Sequence, residues 1–151
     1  MKLRHSLGVY ALMAAAVPFP EVFATAGGLR NWHNLVFMFG HAGLLHYLLN
    51  GLAWLLLWKV VTPGRTLTAW SLSALCAAII PLPEPTIGWS PIIYYYLGLC
   101  LAHMPRADRW KLILLTLAGF FMPHIAAGMH LALLTTGWLM RKLEIAWEKT
   151  R

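Results

Sequence analysis

From Leu35 to Trp58 the chain contains no Asp, Glu, Lys or Arg. About 20 predominantly apolar residues suffice for a helix to cross a bilayer, so this run is long enough to do so. Three polar side chains interrupt it, His41, His46 and Asn50. Such groups are costly at membrane depth and are rarely kept there without a partner or a task. His46 and Asn50 are four residues apart and therefore share one helical face. The run predicts a membrane helix that carries part of a polar site.

The rest of the chain extends that expectation. Of 151 residues, 60% are hydrophobic and only 11% charged, well below the charge of an ordinary soluble domain. The pattern predicts an all-α membrane protein, a six-transmembrane-helix bundle that occupies residues 1–151 as a single domain. The spans are read at about 5–22, 35–58, 66–81, 88–104, 110–125 and 128–146. Pro63-Gly64 and Pro105 mark turns on one side, and Pro81, Pro83 and Pro85 exclude a helix in the link before Gly88. Ala24-Thr25-Ala26 also resembles a signal-peptide cleavage site; otherwise the first segment is a span ended by Pro18 and Pro20.

The net charge of +7 raises the question of nucleic acid. With alternate span ends assigned to the cytoplasm, however, Arg30 is the only basic residue on the far side. That is the positive-inside bias; it predicts a multi-pass protein of a bacterial inner membrane with both termini cytoplasmic and no nucleic-acid partner. Cys76 and Cys100 fall inside predicted spans and read as small apolar groups. No carboxylate or cysteine shares the layer of the histidines, so no metal and no cofactor are expected.

Two further segments carry chemistry. Gly88-Trp89-Ser90-Pro91 opens the fourth span, where Ser90 reads as a helix N-cap followed by proline. A serine at the positive end of a helix is also placed to act as a nucleophile. Ser90, Tyr94 and Gly98 form one stripe at i, i+4 and i+8. A serine nucleophile needs a base within hydrogen-bond reach, and the last segment offers His130, with His124 as the alternative. The depth of His130 matches that of His46 and Asn50, while His124 falls near the outer turn. Gly137 lies on the face of His130, open to close packing against the Gly98 stripe.

Taken in order, these motifs resemble the rhomboid family of intramembrane serine proteases. His41, His46 and Asn50 match the family's His-x4-His-x3-Asn signature, and Gly88-Trp89-Ser90 matches the first three positions of Gly-x-Ser-Gly. Tyr94 and Gly98 match a tyrosine and a glycine that recur four and eight residues after the serine; His130 and Gly137 match part of the sixth-span pattern. The resemblance implies a rhomboid-like bundle in which Ser90 attacks and His130 is its base. His46, Asn50 and, less directly, His41 would form or support the oxyanion hole, Tyr94 would stack on the imidazole, and Gly88, Gly98 and Gly137 would serve close packing. The substrates implied are single-pass transmembrane helices, cut near their outer end within the lipid bilayer. Pro91 and Leu133 stand where the family has glycine. They motivate the alternative, an inactive rhomboid-like protein that binds membrane helices without cutting them.

Overall fold

The computed structural model describes residues 2–82, 85–122 and 125–151. Among them the chain forms seven α-helices: α1 (Lys2–Ala16), α2 (Pro20–Phe23), α3 (Leu44–Leu56), α4 (Pro63–Ile79), α5 (Ser90–Leu101), α6 (Arg106–Ala118) and α7 (Ala127–Glu148). The all-helical expectation holds. The six-span membrane bundle does not, because no helix of the described residues is long and apolar enough to cross a membrane.

The reasons are local. The run from Leu35 to Trp58 does not form one helix: Trp32–Leu35 is a single 3-10 turn, and α3 begins only at Leu44. Gly43, at φ +109°, sets the chain in a conformation that L side chains avoid and marks the start of α3. The helix that remains has 13 residues, about 20 Å of rise against a hydrocarbon core of about 30 Å. Helix α5 has 12 residues and stops at Leu101. Helix α7 has 22, but Arg141, Lys142, Glu144 and Glu148 occupy its second half. Helix α6 starts four residues before the expected span and takes in Arg106, Asp108, Arg109 and Lys111. Expected placement in a bacterial inner membrane with both termini cytoplasmic, and contact with a bilayer through spans, go with the spans. The basic residues then need another explanation than topology.

The core is built around α5. Trp54 of α3 meets Trp89 edge-on at 5.4 Å and Tyr96 at 5.5 Å between ring centroids. Trp54 Nε1 donates to the carbonyl of Ser6 at 3.0 Å, which fastens α1 to α3. Tyr10 and Tyr47 stack between the same two helices. Not all apolar side chains are used in this way: α3 turns Leu45, Leu48, Leu49, Leu52 and Leu56 outward.

Helices α5 and α7 make the most extensive pairing. It depends on absent side chains. A methyl group at Gly98 would collide with the Leu134 carbonyl of α7, and one at Gly137 with the Tyr95 carbonyl of α5. Both obstacles are backbone, which cannot swing away. Leu133 is fully buried although it stands where the pattern that the sixth span resembles has glycine.

Gly137→Leu is therefore expected to lower stability by about 3 kcal/mol, the upper range for overpacking a filled core. Gly8→Ala, inside α1 with open space around it, is expected to be neutral or to gain up to about 1 kcal/mol. Thermal and urea unfolding followed by circular dichroism measures both; equal behaviour of the two variants would contradict the close-packing assignment.

Candidate active site

Helix α5 starts at Ser90, inside the expected span 88–104, and Ser90 is not the N-cap that its sequence suggests. Trp89 takes the N-cap position, Ser90 is the first helical residue and Pro91 follows within the first turn, where its missing N–H costs no helical bond. The serine hydroxyl is thus not used as a cap. It lies 2.8 Å from His130 Nε2 on α7.

His130 is 8% exposed. The Tyr94 ring lies parallel to its imidazole with centroids 4.2 Å apart. Tyr94 is one turn beyond Ser90 on the same face of α5, so the helix delivers both the hydroxyl and the ring that flanks its partner. Burial, assisted by nearby His46, pushes the His130 pKa down to about 4. The imidazole is therefore neutral near pH 7, and in the tautomer protonated on Nδ1 its Nε2 accepts the Ser90 O–H. His124, the alternative base, lies outside the described residues.

Next to the serine stands a second pair of groups. Gly88, two residues before Ser90, has φ +127°. Its Cα faces α3 so closely that a Cβ would come within 2.7 Å of His46 Cε1, 2.9 Å of His46 Nε2 and 3.5 Å of Asn50 Nδ2. Gly88 therefore does more than pack helices: it lets the His46 and Asn50 side chains reach the segment that ends in Ser90. The His46 Nδ1 accepts the Ala42 N–H at 3.2 Å, which places the ring proton on Nε2 when the imidazole is neutral. Burial lowers the His46 pKa and favours that neutral form. Asn50 Nδ2 is buried without a hydrogen-bond partner among the described residues. A buried amide donor left unmatched calls for an explanation; here it faces the same glycine as the His46 Nε2.

His41 has a different place. It is fully buried, with Nδ1 at 3.2 Å from the Phe39 carbonyl. Its ring meets His46 edge-on at 5.2 Å and Tyr47 at 5.6 Å. It braces His46 and the turn before α3. Desolvation, with His46 second, lowers its pKa to about 4.

The loops hold the serine segment in place. Gly88 N–H donates to the Phe37 carbonyl at 3.0 Å, and Thr25 and Thr86 exchange backbone hydrogen bonds. Asn31 and Asn34 tie the segment around Thr25 together through side-chain bonds to Gly27 and Gly28 carbonyls. Gly98 and Gly137 lie farther along α5 and α7 and fix how closely those helices approach.

One contributor was not singled out in the sequence. Thr116 of α6 is buried and donates its hydroxyl to the Leu112 carbonyl at 2.8 Å; burial raises the Tyr94 pKa, and Thr116 acts against that rise. Its signal was present as a lone hydroxyl in the apolar stretch Leu112–Leu117. Ser90, His130, Tyr94, His46 and Asn50 are thus gathered on adjoining faces of α3, α5 and α7, and His41 stands behind them. No group of three or more His, Cys, Asp or Glu side chains suited to a metal ion occurs among the described residues.

No protein-family model matches the chain, and no curated protein matches it.

The two low histidines make stability depend on acid. Unfolded, each imidazole titrates near 6.5; folded, near 4. As pH falls, the unfolded chain takes up protons first, so the stability from this pair is complete above about pH 6.5 and is lost progressively down to about pH 4. The urea midpoint is expected to fall between about pH 7 and pH 4.5, and His130→Gln is expected to flatten that fall. A midpoint independent of pH in the wild type would contradict the buried neutral assignment.

Proposed function

We propose that the chain is a serine endopeptidase that works through a Ser90–His130 dyad. The observation that carries this reading is the hydrogen bond of 2.8 Å between the serine hydroxyl and an imidazole buried in neutral form. A hydroxyl is a weak nucleophile until a base removes its proton, and a neutral imidazole is suited to that step at ordinary pH.

The chemistry follows the usual order for acyl transfer. Ser90 Oγ attacks the scissile carbonyl while His130 Nε2 takes its proton. His130 then returns that proton to the leaving amine, and the acyl group remains on Ser90. Water, activated by the same imidazole, releases the acid and restores the serine. No aspartate is needed to hold the histidine, because the parallel Tyr94 ring supplies the orientation. The negative oxygen of the tetrahedral intermediate is assigned to Asn50 Nδ2 and the His46 Nε2–H. The unmatched Asn50 amide supports that assignment, since it becomes satisfied only when an acceptor arrives.

Peptide bonds are chosen as substrate because the ordered motifs resemble rhomboid proteases. The scissile segment must be extended, since a helix keeps its carbonyls occupied. No membrane setting is attached to this proposal. The alternative, an inactive rhomboid-like protein that binds membrane helices, rests on the bulk of Pro91 and Leu133. It is weakened because Pro91 sits in the first turn of α5 without parting the serine from the histidine.

A fluorophosphonate probe tests the proposal directly. Wild-type protein is expected to be labelled, and Ser90→Ala and His130→Ala to remain dark. Asn50→Ala is expected to keep the fold and lose about 3–4 kcal/mol of transition-state stabilisation, the usual effect of removing one oxyanion donor. A folded wild type that takes no label would overturn the enzyme reading.

A further inference from the structure

A second polar feature lies at the other end of α5. Helix α5 rises about 18 Å over its length at about 1.5 Å per residue, and beyond its last turn is a cavity of about 550 Å³. Lys2 of α1, Lys59 after α3, Arg65 of α4 and Arg141 of α7 all line it, together with His103. Four separate stretches of chain thus bring a cation each to one space. Leu99 and Met104 give the same cavity an apolar wall.

The charges do not cancel. Arg65 Nη2 clasps both oxygens of Glu144, at 2.9 and 2.8 Å. Arg141 Nη1 shares Glu144 at 2.9 Å and reaches Glu148 at 3.4 Å, while Arg141 Nε donates to His103 Nε2 at 3.0 Å. Glu144 thus locks the two guanidinium groups in place. The Lys2 ammonium donates to the Lys59 carbonyl at 2.8 Å, and neither lysine has a carboxylate partner among the described residues. Four cations against two carboxylates leave a surplus of two positive charges. A phosphate monoester carries about 1.5 to 2 negative charges near pH 7, which matches that surplus. Lysine ammonium groups suit phosphate as mobile point charges, and the pinned arginines supply a fixed positive field behind them.

We propose that this cavity binds a phosphate monoester whose phosphate meets Lys2 and Lys59 and whose remaining part lies along the Leu99 and Met104 wall. The site is separate from Ser90 and stands whether or not the serine is active. A free phosphoester and a phospholipid headgroup offer the same chemistry, and the test separates them.

Isothermal titration with glycerol 3-phosphate and with dihexanoyl phosphatidic acid, both at low salt, provides that test. Saturable binding of at least one probe at one site per chain is expected. In the double variant Lys2→Gln, Lys59→Gln it is expected to weaken about tenfold or more, as for loss of charged hydrogen bonds. An unchanged unfolding midpoint in that variant guards against a folding defect, because neither lysine makes an ion pair among the described residues. Tighter binding of the diacyl probe would name a lipid headgroup as the source; equal or weaker binding would name a free phosphoester. No saturable binding of either probe, or binding that the double variant leaves intact, would overturn the proposal.

Discussion

The site depends on how near α5 and α7 can come to each other. Ser90 and His130 lie on different helices, forty residues apart in the chain, and a hydrogen bond between them tolerates only a few tenths of an ångström of error. The approach is set several residues away, where Gly98 and Gly137 each leave their Cα against the other helix's backbone. Contact of this kind has no flexible side chain to absorb variation. Once the backbones touch there, the position of the helix starts is largely fixed by helical rise, and the serine and histidine meet. The Tyr94 stack follows from the same register, because Tyr94 lies on the same face of α5 as Ser90 and Gly98, one turn from each.

A second constraint acts through Gly88. Its positive φ and the absence of a Cβ allow α3 to present His46 and Asn50 directly against the segment leading to Ser90. Here the energetics run against stability. A buried amide without a partner costs about 1–3 kcal/mol, and two neutral histidines in the interior add a penalty on acidification. The large aromatic side chains Trp54, Trp89, Tyr95 and Tyr96 pack around this region with little exposure, although Trp89 Nε1, beside Ser90, is itself buried without a partner among the described residues.

What the sequence made legible was the set of polar residues and their spacing. The i, i+4, i+8 stripe placed Ser90, Tyr94 and Gly98 on one face, and the choice of His130 followed from relative depth. The stripe rests on helical geometry near each residue and matches α5, which carries all three. The depth argument assumed membrane spans that the described residues do not form. It is the packing of α5 on α7 that brings Ser90 and His130 together, while His124 lies outside the described residues. The lengths of the helices were not legible in the same way. Hydropathy runs on unbroken from Leu35 to Trp58, but the chain turns at Gly43, and hydrophobicity carries no record of φ. Thr116 was missed for a related reason: a hydroxyl on a helix usually bonds back to its own turn, as Thr116 does with Leu112, and its influence on Tyr94 is visible only in three dimensions.

The charges needed the same correction. Read as topology, the basic residues at segment ends required no common destination. With no helix among the described residues long and apolar enough to span, four of them are found around one cavity, drawn there because α1, α3, α4 and α7 all place an end or a mid-helix turn beside the tail of α5. Glu144 is the reason this cluster can exist: it lies between Arg65 and Arg141, so the two guanidinium groups attract a shared partner instead of repelling each other. It also ties α4 to α7 at the end remote from Ser90. The glycine contact in the middle of the α5–α7 pair and this ion pair beyond it hold α7 at two points. Held at those two points, α7 keeps His130 within hydrogen-bond distance of the serine.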